Sequence, residues 1–170
     1  MKISISPYDP NWPADFLEES RLLYQSIPND KLKIEHIGST SIPHLDSKPI
    51  IDIMIGLENF EFAADYIESI INLGYEYHSE YENTMPDRKF FTKQKAGVKT
   101  HHIHMVEFDS FFWNRHLLFR DYLRNNKNAR DDYSSIKQVL AKKEWTNENE
   151  YAQAKNSFIR KIELTAVNNK

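Results

Sequence analysis

The chain has 170 residues, 40% of them hydrophobic and 13% aromatic, and carries 22 Lys and Arg against 25 Asp and Glu for a formal net charge of −3. That length fits one domain over residues 1–170 with apolar area for a real core, and the mildly acidic balance gives no general reason to expect a nucleic-acid partner. The absence of cysteine excludes disulfide frameworks and thiolate metal sites. With no apolar signal region and no apolar run near the roughly 20 residues of a membrane span, the expected setting is cytoplasmic, without a membrane partner.

Residues 1–12 read as a short strand and a turn, punctuated by Pro7 and Pro10. A helix is predicted from Pro13, whose missing N–H costs nothing in a first turn, to about Ile27. Residues 32–37 alternate apolar and polar, the pattern of a half-buried strand, and residues 38–47 are small, polar and contain Pro43, hence a loop. The run Ile-Ile-Asp-Ile-Met-Ile at 50–55 suits a central strand covered on both faces. A helix over 60–73 follows, closed by Gly74 in a left-handed cap.

Strand-like pieces come next at 75–79, 88–93 and 98–107, the last two joined by a hairpin turn at 95–97. The remainder reads as helix: from a cap at Asp109 or Ser110 to about Asn125, from Ala129 to Lys143, and from Asn147 to Val167, where Asn147 and Glu150 have the spacing of a capping box. Phe111, Phe112, Trp113, Leu117, Leu118 and Phe119 are expected in the core, and Arg120 with Asp121 as an internal ion pair holding the helical third to the sheet. The acidic run Glu148 to Glu150 suits a helix start. Strands in the first two thirds and helices in the last predict an α+β fold.

Several residues could carry chemistry. A Gly38-Ser39-Thr40 turn lets backbone N–H groups and a hydroxyl approach a phosphate, and Asp52 on the following strand could hold a divalent metal that neutralises it. His102 and His104 alternate on one strand, so both face the same way and His101 faces the other, toward the surface. His104 is also a candidate general base at near-neutral pH. Lys48 at the start of the Asp52 strand and Arg88 at the start of another are candidate phosphate clamps, whereas Lys89 reads as a solvated strand end. Lys155, four residues after Tyr151 on one helix face, either closes the site over a ligand or docks the helix.

The string EHIGSTSIPHLDSKPIIDIMI at residues 35–55 resembles the signature segment of the GrpB family. So do Tyr8-Asp9-Pro10 with Trp12, Arg88 before Phe90-Phe91, His102-Ile103-His104, Phe119 to Leu123, and Tyr151 with Lys155 before Phe158-Ile159, a resemblance over nearly the full length. It implies the nucleotidyltransferase fold (that of DNA polymerase beta), a mixed sheet in which a Gly-Ser turn precedes a strand bearing two alternating carboxylates. Here only Asp52 is present, because Ile50 or Met54 stands where its partner would. Asp46 lies in the intervening loop, where no spacing requires it as a ligand. The superfamily's third carboxylate lies on a later strand that His104-Met105-Val106 resembles, with imidazole in its place. Asp52, His102 and His104 therefore form a candidate ligand set for a divalent metal, Mg²⁺, Mn²⁺ or Zn²⁺, in which the two imidazoles suit Zn²⁺, Mn²⁺ or Fe²⁺ better than Mg²⁺. The resemblance implies a small-molecule nucleotide or phosphate ligand, and the family's occasional fusion to dephospho-coenzyme A kinase suggests a nucleotide or coenzyme A connection. Three functions compete: nucleotidyl or phosphoryl transfer with Asp52 and His104 catalytic, nucleotide binding without catalysis, and a His-based metal-dependent hydrolase.

Overall fold

A computed structural model describes residues 1–168. The apolar run predicted as a central strand forms β2, Ile51–Leu57, and its neighbours follow from the alternation around it. β1 (Lys33–Ile37) lies antiparallel to β2; β5 (Val98–Glu107) lies parallel to it on the other side. β4 (Lys89–Lys95) and β3 (Tyr75–Tyr77) complete the sheet in antiparallel pairings, in the order β1-β2-β5-β4-β3. Ala96 and Gly97, both at positive φ, make the tight turn between β4 and β5.

β2 is covered on both faces because its alternate residues serve different cores. Ile51, Ile53, Ile55 and Leu57 pack with Ile103, Met105 and Phe91 under α1 (Trp12–Ser26), which contributes Trp12 and Leu23. Met54, on the opposite face, is buried with Val106 of β5, Ile37 of β1 and Trp113 of α2 (Phe111–Asn125), the first long helix after the short turn at Ile67–Ile71. Gly56 is what allows that helix to approach: a Cβ there would lie 2.6 Å from the Trp113 ring. We expect Gly56→Ala to cost about 1–3 kcal/mol through overpacking. Urea unfolding would measure it, and unchanged stability would mean that the helix can slide away freely.

After that helix come α3 (Lys127–Ala141), α4 (Glu148–Ala154) and α5 (Asn156–Asn168). Tyr133, Ala129 and Ile162 from these helices meet Leu123 of α2 and Ile42 and Leu45 of the loop after β1. Arg120 of α2 is 8% exposed and ties the helix to β1, donating to Glu35 at 2.6 Å and to the His36 carbonyl at 3.0 Å. Its bond to Asp121 at 2.8 Å stays within the helix, so Glu35 and His36 make the link to the sheet that was expected of the Arg120–Asp121 pair.

Other local expectations are revised. The N-terminus forms isolated bridges, Lys2 to Glu144 and Ser6 to Ser47, rather than a strand. Residues 60–66 form a 3-10 turn, capped by the Asn59 side chain, and only Ile67–Ile71 is α-helical; Gly74 does adopt a left-handed conformation, φ 88°. The strand-like piece expected at 75–79 ends at Tyr77, and a 3-10 turn at Ser79–Asn83 follows. The last predicted helix breaks at Lys155, and Asn147 caps Glu150 N at 3.0 Å, while the Glu150 side chain accepts from Thr146 N instead of closing the box. Phe111, expected in the core, is 77% exposed because it opens its helix ahead of the buried Trp113.

Candidate functional site

The register of the central strands creates the site. β2 and β5 run parallel with Asp52 directly beside His102 and Met54 beside His104, and alternation puts Asp52, His102 and His104 on the same face. His102 Nδ1 lies 3.1 Å and His104 Nε2 3.8 Å from the same oxygen, Asp52 Oδ1. One ligand atom from each of the three residues fits within 4.8 Å. Gly38 closes over the carboxylate with φ 71° and ψ −176°, and a Cβ there would stand 2.3 Å from Asp52 Oδ2. Phe90 of β4 pairs with His104 and lies against both imidazoles, with ring centroids 5.3 and 5.1 Å away.

Hydrogen-bond chemistry fixes the protons. An ionised carboxylate only accepts, so His102 donates its Nδ1–H to Asp52, leaving its Nε2 buried without a partner. A guanidinium only donates, so Arg88 Nη1, 3.2 Å from His104 Nδ1, requires that nitrogen to accept. Neutral His104 therefore carries its proton on Nε2, turned toward Asp52. Burial alone would raise the Asp52 carboxyl, but the hydrogen bonds from His102 and His104 outweigh it and hold the group well below the usual carboxylate range. Burial lowers His104 against the pull of Asp52.

These residues form the floor of an open cleft of about 790 Å³ between the sheet and the C-terminal helices. Ser39, Lys48, Arg88, His102, His104 and Lys155 all line it, together with Lys99, Lys137, Glu148 and Tyr151. Glu148 takes both Lys48, at 3.3 Å, and Lys99, at 3.0 Å, so the acidic run that starts α4 also reaches the cleft. Lys155 lies 4.5 Å over the Tyr151 ring. Lys137 is 2% exposed, donates to the Asp46 carbonyl and lies 4.9 Å over the Tyr133 ring. Burial, with repulsion from Lys155, pushes its ammonium down to about 7.

Three expected positions differ. Thr40 is turned inward: its hydroxyl donates to the Ile50 carbonyl at 3.0 Å and accepts from His36 Nε2 at 3.0 Å, which occupies it in holding the loop. His101 faces away as expected but is not a surface residue; it lies among Glu19, 4.0 Å away, and Tyr75 under α1. Lys89, expected to be solvated, pairs with Glu82 at 2.9 Å and is only 13% exposed. Lys137 and Lys99 were not singled out in the sequence. Lys137 could have been, since Tyr133, Lys137 and Leu140 follow i, i+4, i+7 spacing and put a lysine on an apolar stripe.

A mixed five-stranded sheet with an Asp beneath a Gly-Ser turn and helices behind it defines a protein of nucleotidyltransferase-like architecture. The fold supports this: Cid1 poly(U) polymerase with Mg 3'-dATP bound aligns with a TM-score of 0.54 at 13% identity, covering 81% of this chain and 43% of that one. The chain belongs to the GrpB family, whose description, GrpB protein, matches residues 2–164. GrpB from Enterococcus faecalis superposes with a TM-score of 0.86 at 35% identity over 98% of both chains.

In sequence, the UPF0157 protein YqkA of Bacillus subtilis is 38% identical over 97% of this chain, which spans 47% of that relative. The glutamate-rich protein GrpB of Alkalihalophilus pseudofirmus is 33% identical, with 95% of this chain and 94% of the relative covered. Dephospho-CoA kinase of Mycobacterium leprae is 24% identical over 89% of this chain and 43% of its own length. No helix among the described residues is long and apolar enough to cross a membrane.

Proposed function

We propose that the cleft binds a nucleotide or related polyphosphate ligand and transfers a nucleotidyl group with the help of a divalent transition metal. The observation behind this reading is the meeting of Asp52, His102 and His104 beneath the Gly38 turn, in a cleft that also gathers Arg88 and four lysines. One carboxylate and two imidazoles suit Zn²⁺ or Mn²⁺ better than Mg²⁺, and the donor atoms are close enough to share an ion. A metal held there would neutralise phosphate charge and polarise the transferred phosphoryl group. Ser39 and the turn it follows would donate to phosphate oxygens; Lys137 and Lys155, on the opposite wall, would balance the charge farther along the chain of phosphates. As a metal ligand His104 has no nitrogen left to accept a proton, so its part in the transfer would be to hold the ion with Asp52 and His102. The likeness to dephospho-CoA kinases adds coenzyme A precursors to the common nucleotides as ligands to test.

One observation favours a second reading, binding without transfer. Met54, on the same face two residues after Asp52, is 0% exposed and belongs to the core with Trp113, so no second carboxylate follows on that strand. Release of pyrophosphate from a nucleoside triphosphate would separate transfer from binding alone.

The metal assignment is tested by thermal melts on chelator-stripped protein. At 100 times the dissociation constant, Zn²⁺ or Mn²⁺ should stabilise the wild type by about 2.7 kcal/mol. Asp52→Ala and His104→Ala should remove most of that gain, whereas His101→Ala, on the other face, should keep it. Equal gains in all four proteins would mean surface binding and would remove the ligand assignment. Calorimetry with nucleotides in the presence of metal should show binding that weakens in Ser39→Ala.

A further inference from the structure

We infer that Arg88 is a gate on the metal site: it holds His104 in the tautomer that cannot ligate, and an anion that draws the guanidinium away opens the site to metal. This rests on the metal reading of the cleft proposed above and concerns its regulation. A neutral imidazole has one lone pair. Arg88 Nη1 sits 3.2 Å from His104 Nδ1 and can only donate, so it uses that lone pair and leaves the proton on Nε2, the nitrogen that faces Asp52. Ligation through Nε2 needs the proton on Nδ1, where it would point at a guanidinium N–H.

Nothing comparable obstructs His102. Moving its proton from Nδ1 to Nε2 places it on a nitrogen that is buried and unpartnered already. Metal-bound histidines ordinarily give their second N–H to a carboxylate, carbonyl or water, and an arginine in that place works in the opposite direction.

Arg88 is also built to leave. Its Nε is buried without a partner, so its present position is incompletely satisfied. It forms part of the wall of the 790 Å³ cleft and of a neighbouring 470 Å³ pocket beside Phe60 and Phe112, so the side chain borders open space on both sides. Its other contact to the site is the Phe90 ring, 4.9 Å from the guanidinium carbon. A phosphate in the cleft offers two charge-assisted hydrogen bonds in place of one bond to a neutral imidazole. Metal and anion binding are then positively coupled, and linkage makes the coupling reciprocal.

The experiment measures Zn²⁺ and Co²⁺ affinity of chelator-stripped protein by competition with a chromophoric chelator, and records the Co²⁺ visible spectrum. With metal alone, Arg88→Gln should bind about 10-fold tighter than wild type, because the amide oxygen can accept the Nδ1–H. Arg88→Ala should also bind tighter, through water at the vacated position. Sulfate should tighten metal binding by the wild type and have little effect on Arg88→Gln. Metal-free thermal melts establish that both variants are folded. If wild type binds metal in a manner that needs Asp52 and His104, yet both Arg88 variants bind equally or more weakly, the gate is overturned and the metal site stands. If sulfate leaves the wild-type affinity unchanged, the coupling is overturned. If no protein binds metal through Asp52, the metal reading falls and the gate with it.

Discussion

Gly38→Ala should remove the candidate site and cost about 3 kcal/mol of stability or more. Two effects add. The backbone at φ 71° and ψ −176° lies in a region that side chains other than glycine scarcely enter, and the new methyl would sit 2.3 Å from Asp52 Oδ2 and 3.0 Å from Asp52 Cβ. Asp52 cannot retreat far, because its strand is hydrogen-bonded on both sides, to β1 and to β5. Either the Ser39 loop lifts or the carboxylate turns away from His102 and His104. Denaturant unfolding would read the first cost, and loss of metal-dependent stabilisation the second. A variant as stable as wild type that retains the metal effect would show that the turn does not press on the carboxylate.

Acid should destabilise the protein in a window set by buried neutral histidines rather than by carboxylates. His36 is 6% exposed, stacks on Phe16 at 4.7 Å and gives its Nε2–H to Thr40; burial pushes it down to about 4. His116 stacks on Phe112 at 3.9 Å and gives its Nδ1–H to the Phe112 carbonyl; burial pushes it down to about 3. The unfolded chain takes up these protons near pH 6.5, while the folded chain does not. Stability is therefore intact above that value and falls as pH drops from about 6.5 toward 4, by on the order of 3 kcal/mol for His36 alone. Asp52, whose folded value is depressed, adds its loss only below its unfolded value of about 3.9. Urea melts between pH 7 and 4.5 would follow the decline, and ring proton shifts in NMR would follow each histidine. Titration of His36 and His116 near 6.5 in the folded protein would refute this account.

The sheet was readable because its strands have one dominant cause each. Residues 50–55 are apolar on both faces and become the doubly covered β2, and the turn at 95–97 fixes its hairpin through two residues at positive φ. Asp52, His102 and His104 share a face because period two places them there, and the parallel register that sets Asp52 against His102 completes their meeting. That register joins residues 50 positions apart and has no local signal. The same holds for the Glu35 partner of Arg120, 85 residues away, and for the burial of Lys137 against the Asp46 carbonyl. Helix irregularities were missed for a different reason: neither the 3-10 turn at residues 60–66 nor the break at Lys155 is marked by glycine or proline.

Glu148 gives the mouth of the cleft a built-in counter-anion. Its carboxylate already pairs with Lys48 and Lys99, so for a phosphate bound as proposed the step at that point would be an exchange of partners rather than the filling of empty positive charge. A singly charged anion would trade one carboxylate for its equal. A longer polyanion, reaching past the exchange toward Lys137 and Lys155, would gain on the far side what it spends at the mouth, so under the proposed function such a lock would discriminate by the number of charges a visitor carries.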